Sequence, residues 1–197
     1  IRNRRGAHFI SFHITDKILL QRVRRALGSN HKIAVRDRGN KQWKLGYRLQ
    51  IGSREYFYDL EMLGFMPNKS KSMILPDVPE QYFGHFVRGY FDGDGCIYFK
   101  KLKVKDRKNE KWIFSSRFTA GSRTFLDPLL TALRKRGLKG GFVVKKVRGF
   151  ELVFSHHDSV ALFRFMYDTV PNNDLYLPRK YELFKQAIKT LYGTMRP

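Results

Sequence analysis

The stretch HFVRGYFDGDGCIYFKK, residues His85–Lys101, decides the reading of this 197-residue chain. Two acids, Asp92 and Asp94, alternate with Gly93 and Gly95 between an aromatic-rich segment and a strand-like run. Phe83, Phe86, Val87, Tyr90 and Phe91 recur at helical spacing, which predicts a helix from Glu80 that Gly93 and Gly95 bring to an end. Gly89 inside it costs about 1 kcal/mol against alanine, and a glycine there permits close approach of a neighbour such as a second backbone. Asp92 and Asp94 then fall at the helix C-terminus, where the partial negative charge of the last carbonyls disfavours a carboxylate. Local conflicts of this sort mark functional sites. A divalent cation resolves this one, neutralising the carboxylate and taking nearby carbonyl oxygens as hard ligands. An EF-hand loop is excluded, because Cys96 and Ile97 stand where it needs an oxygen ligand and a glycine. From these residues alone, a plain Asp/Gly turn and a carboxylate pair for acid–base hydrolysis both stay open.

Outward from the motif, the chain is written twice. FHITDKILLQRVRRALG (Phe12–Gly28) and FTAGSRTFLDPLLTALRKRG (Phe118–Gly137) share a plan of strand end, start signal and amphipathic helix. Ile18, Leu19, Val23 and Leu27 are the expected apolar positions of the first helix, and Phe125, Leu129, Leu130 and Leu133 of the second. YRLQIGSREYFYDLEMLG (Tyr47–Gly64) matches FELVFSHHDSVALFRFMY (Phe150–Tyr167), and PNKSK (Pro67–Lys71) matches PRKYE (Pro178–Glu182), in the same order. Each unit is expected to read strand, strand, helix, strand, strand, helix, with further helix behind it. The fold class is α+β.

Strand alternation assigns the faces. Tyr47, Leu49 and Ile51 point one way, Arg48 and Gln50 the other; Lys32 and Arg36 oppose Ile33 and Val35. In the second unit, Phe150, Leu152 and Phe154 alternate with Glu151 and Val153, and Phe118 with Arg117. Each sheet is thus expected to have one face covered by helices and one open basic face, as antiparallel sheets allow. Basic hairpin tips at Arg36–Lys44 and Lys100–Trp112 extend these faces, bringing Arg38, Lys41 and Lys44 to the first and Lys100 and Lys103 to the second, with Lys145 nearby. A two-stranded ribbon fits the major groove of DNA, where Arg pairs with guanine and Gln with adenine. Arg48 and Gln50 are therefore expected to read bases, and Lys41 and Lys44 to hold phosphates.

The charge balance agrees. Thirty-nine Lys and Arg against 17 Asp and Glu give +22, spread along a chain that is 42% hydrophobic and hence folded. A folded chain under that self-repulsion implies a polyanionic partner, nucleic acid first. The single cysteine, Cys96, excludes an internal disulfide framework and a Cys-based zinc site. No apolar run reaches the ~20 residues of a membrane span, and no signal peptide is visible, so an intracellular place is expected.

Read whole, VRGYFDGDG (Val87–Gly95) resembles the LAGLIDADG motif of homing endonucleases, with Gly89, Asp92, Asp94 and Gly95 carrying the match. The strand and helix repeat is similar to that family over nearly the entire chain, while Arg88 departs from the small residue usual at its place. The resemblance implies two motif helices packed by their glycine faces below a saddle-shaped double sheet that straddles double-stranded DNA. It implies Asp94 as metal ligand, assisted by the Gly93 carbonyl, and Mg²⁺, with Mn²⁺ as a substitute. Asp92 matches the structural acid of the motif. Lys180 in LPRKYELFKQ, and its repeat partner Lys69 in MPNKSKS, match the basic residue kept near each scissile phosphate.

The expected organisation is a first repeat over residues 1–79 and a second over 80–197, opening with the motif helix. Counting back along the repeat places the counterpart of Asp92–Gly95 directly upstream of Ile1. The expected function is a pseudo-symmetric monomeric endonuclease cutting a long, near-palindromic site, with dimerisation if the first motif helix is absent. Its rivals are a transcription regulator or intron-splicing cofactor on the same scaffold, and a basic RNA- or ribosome-associated protein. Cytoplasm or nucleoid, or an organelle for an organellar intron, would house it.

Overall fold

Leu49 and Leu152 hold the same place in two separate sheets. The computed structural model describes residues 6–37, 39, 42, 44–65, 72–103, 110–168 and 175–193. They fall into two compact units, Ile1–Asn68 and Lys69–Pro197.

The first unit runs β1 (Phe9–Ile14), α1 (Lys17–Ala26), β2 (Ile33–Arg36), β3 (Gly46–Gly52) and α2 (Arg54–Met62). Its antiparallel sheet has the order β1-β3-β2, with Phe12 and Ile33 both opposite Leu49. Both helices start on caps visible in the sequence. The Asp16 carboxylate accepts the Leu19 N–H at 2.9 Å, and the Ser53 hydroxyl accepts the Tyr56 N–H at 3.1 Å. Leu20, Leu49 and Ile51 form a small core, joined by Phe12, Ile14 and Tyr47. The face of α1 differs from expectation: Leu19 and Leu20 are buried, whereas Ile18 is 58% exposed and Leu27 lies on the surface as C-cap. Adjacent residues of a helix differ by about 100°, so Leu20, one step beyond Leu19, takes the place that spacing alone had offered to Ile18.

The second unit runs α3 (Glu80–Asp94), β4 (Gly95–Lys103), β5 (Glu110–Ala120), α4 (Arg123–Arg134), β6 (Phe142–Lys146), β7 (Gly149–Ser155), α5 (His156–Tyr167) and α6 (Pro178–Tyr192). Its antiparallel sheet has the order β4-β5-β7-β6, with Phe118 and Val143 both opposite Leu152. Thus β5, β6 and β7 repeat β1, β2 and β3 in order and register, and β3 and β7 even share one alternation of buried and half-buried positions. Among the described residues the first unit has no counterpart of α3 and β4. The large core gathers Phe83, Val87 and Phe91 of α3 against Phe118, Leu129 and Leu152. One polar knot crosses it: the Ser159 hydroxyl accepts the Ser116 N–H and hydroxyl and donates to the Phe154 carbonyl. Every partner there is satisfied, as burial requires.

Candidate active site and nucleic-acid interface

Helix α3 ends on the sheet, so its last turn is fixed from below. Phe91 is fully buried, its ring edge-on to Phe118 with centroids 5.2 Å apart. Asp92 turns inward with it. Its carboxylate accepts the Leu177 N–H at 2.8 Å, at the N-cap of α6, where the helix dipole favours an anion. Burial nonetheless raises Asp92 to about 6, against the lowering pull of that bond, Lys180 and Arg88. Asp92 is therefore a tie between α3 and α6.

Asp94, two residues on, is exposed, as is Gly93. An added Cβ at Gly89 or Gly93 would meet no atom within 4 Å, so one side of α3 stands open along its glycines. Arg88 faces away from that side. It is 3% exposed, with Nη1 donating to the Met166 carbonyl at 3.4 Å and Nη2 2.9 Å from His85 Nδ1. The residue that departs from the motif thus anchors α3 to α5.

Lys180 is placed otherwise than expected. Its ammonium lies buried under the last turn of α3 and donates to the carbonyls of Phe91, Asp92 and Gly95 at 2.6, 2.9 and 2.5 Å. Those bonds occupy all three protons of the group, leaving none for a phosphate. Burial, partly offset by Asp92, draws Lys180 from 10.5 down to about 8. Here Lys180 caps the negative end of α3, resolving with a built-in cation part of the conflict that the sequence posed. Its repeat partner Lys69, like Arg38 and Lys41, lies outside the described residues. Among the described residues no three His, Cys, Asp or Glu side chains cluster as a metal cage.

The sheets' open faces follow from the ladders. On the first stand Ser11 and His13 of β1, Arg48 and Gln50 of β3, and Ala34 and Arg36 of β2. Lys32 and Lys44 flank these strands, both exposed. On the second stand Tyr98 and Lys100 of β4, Arg117 of β5, Glu151 and Val153 of β7, and Val144 and Lys146 of β6. Two expected contacts fall on the other face. Lys145 pairs with Phe150 and Lys103 with Glu110, positions in phase with the helix-covered rows, because alternation leaves no freedom once the register is set. Lys146 takes the place expected of Lys145. His13, Ser11 and Tyr98 join the open faces unannounced by any charge pattern; the only sequence signal for them was alternation within β1 and β4.

No family model matches the sequence, and no curated protein does. Solved structures match over nearly the whole chain. I-SmaMI bound to an uncleaved DNA target in the presence of calcium ions is 13% identical, with a TM-score of 0.62 over 96% of this chain and 85% of that one. The I-SmaMI LAGLIDADG homing endonuclease bound to cleaved DNA gives 15% and 0.60, over 94% and 79%. The LAGLIDADG meganuclease I-AabMI bound to uncleaved DNA gives 15% and 0.59, over 92% and 79%. The chain has the LAGLIDADG homing-endonuclease fold.

Proposed function

We propose that this chain is a site-specific endonuclease of double-stranded DNA, its two open sheet faces reading the duplex and Asp94 serving phosphodiester hydrolysis. One observation carries the reading. In a fold with solved neighbours bound to DNA, the last turn of the motif helix is anchored through buried Phe91 and Asp92 and capped by Lys180, yet the Asp94 carboxylate in that turn is exposed. An exposed carboxylate at the end of the motif helix, on a chain of charge +22, is free to hold a cation against phosphates.

The donor set fits a hard divalent cation. Mg²⁺ keeps several waters and takes one or two carboxylates, with substrate phosphates completing its shell, so the lack of an all-protein cage among the described residues suits it. Asp94 and the Gly93 carbonyl would hold Mg²⁺, or Mn²⁺ in its place. When bound, the cation supplies Lewis acidity, activating water for in-line attack and stabilising charge on the leaving oxygen. The chain's own contribution is positional. Lys180 fixes the carbonyls beside Asp94, Asp92 fastens the turn to α6, and the basic open faces draw in the duplex and hold it in register. Lys69 belongs to the same proposal as the repeat partner of Lys180. Asp94 is the one exposed motif acid among the described residues, Asp92 being buried, so this motif cuts one strand. A second copy of Asp94, or an acid outside those residues, serves the other.

Plasmid nicking tests the reading. The wild-type chain should nick supercoiled plasmid pools with Mg²⁺ and not with EDTA, and Asp94→Asn should abolish nicking while binding duplex as tightly or more so. Binding without nicking in Mg²⁺ or Mn²⁺ would favour a regulator or splicing cofactor on this scaffold.

A further inference from the structure

Glu151 is the one acidic side chain on the open face of either sheet, among the described strand residues. An acid there repels phosphates and weakens binding, so general affinity for DNA does not explain it. Nor does stability, since partly exposed ion pairs contribute about 0–1 kcal/mol. Its surroundings are ordered. Glu151 Oε2 lies 3.7 Å from Arg117 Nη1 and 3.3 Å from Lys146 Nζ, on a side chain only 19% exposed. Arg117 is held from its other side by Tyr98, whose ring centroid lies 5.5 Å from the guanidinium carbon. Arg117 Nε and Glu151 Oε2 are both covered and have no hydrogen-bond partner. The ladder shows what the second sheet has changed: at the matching places the first carries Ser11, Arg48 and Arg36. Its two cations there have no acid between them.

We propose that Glu151, with Tyr98, clamps Arg117 edge-on to the groove so that it reads one guanine in the half of the target facing the second sheet, and that Glu151 also withholds Lys146 from indiscriminate phosphate contact. The inference rests on the reading of the chain as a sequence-specific DNA binder. A planar guanidinium recognises the guanine O6/N7 edge bidentately only when its plane is fixed. A ring on one side and a carboxylate on the other fix it before DNA arrives. The corresponding half-site facing the first sheet meets Arg48, Gln50 and His13 instead, so the two halves of the target are not mirror copies.

The test is selection of bound duplexes from a randomised pool, without divalent cation, by the full chain and two variants. Wild type should enrich a site with a guanine at one position of one half. Arg117→Ala should lower the preference there about tenfold and leave other positions unchanged. Glu151→Gln should erode the same preference, tighten binding to unrelated duplex about threefold and steepen the salt dependence by about one contact. A purely structural Glu151 would lower the melting temperature and leave both the preference and the salt slope alone; that result, or uniform weakening by Arg117→Ala, overturns the proposal. If wild type enriches no sequence at all, the DNA-reading function itself fails, and this inference with it.

Discussion

Lys180 shows what a single side chain can hide from a sequence. It sits 85 residues beyond Gly95, yet its ammonium completes the last turn of α3. Lys180→Met removes the ammonium from three carbonyls, of which Phe91's keeps the Gly95 N–H, and should lower stability by about 1–3 kcal/mol at neutral pH in denaturant unfolding. The pH dependence has a definite sign. Folding draws this lysine from 10.5 to about 8, so between those values the unfolded chain binds more protons and stability from this group rises with pH. The gap between wild type and Lys180→Met should therefore widen from pH 8 to 10.5, and an unchanging gap would refute the burial argument. Nicking per folded molecule separates capping from catalysis: a loss beyond about a hundredfold would put the ammonium at the reacting phosphate. The position of Asp94 was legible because helix spacing and two glycines fix it locally. The partner of α3's carbonyls was not, since no local pattern marks a bond spanning the whole unit.

At the scale of elements, α3 and the strands were readable and the exposed side of α1 was not. A helix of fifteen residues with five apolar positions declares its buried face; α1, with only ten, leaves the choice between Ile18 and Leu20 to the sheet it meets. Faces of strands are decided by parity, so Arg48 and Gln50 could be placed correctly from Leu49 alone. Lys145 could not, because β6 offers Phe142, Val143 and Val144 in succession and the alternation is ambiguous until β7 sets it. The open side of α3 yields an experiment. Gly89 has helical neighbours and room for a methyl group, so Gly89→Ala should stabilise the isolated chain by about 1 kcal/mol. If a second motif helix docks on that side during double-strand cutting, the same variant should lose linear product while keeping its added stability. Unimpaired linearisation would show that the side stays free.

For the whole molecule, charge dominates. With +22 to place against phosphates, binding of unrelated duplex should weaken steeply with salt, by about 10³-fold or more between 50 and 200 mM if six or more contacts form. A shallow slope would mean that most of the lysines and arginines face elsewhere. Because Asp94 is the one exposed motif acid among the described residues, the 197-residue polypeptide should convert supercoiled plasmid to nicked circles before any linear form. Linear product appearing first, from a species shown by light scattering to be monomeric, would contradict that. No described helix is long and apolar enough to cross a membrane.

The shared register of the two sheets carries a further consequence. Leu49 and Leu152 anchor ladders in which β1, β2 and β3 share the register of β5, β6 and β7, while the side chains projecting from the other surface have parted company: Arg48 against Glu151, Gln50 against Val153, Ala34 against Val144. The hidden rows behave as a chassis and the projecting rows as interchangeable type. Grafting Ser, Arg and Gln onto positions 117, 151 and 153 would leave the helix-covered rows untouched while dissolving the Arg117–Glu151 pair, and it would set the second sheet to print the word that the first already spells. A duplication that freezes one surface and releases the other has made two readers from one, and the same property leaves both open to being reset.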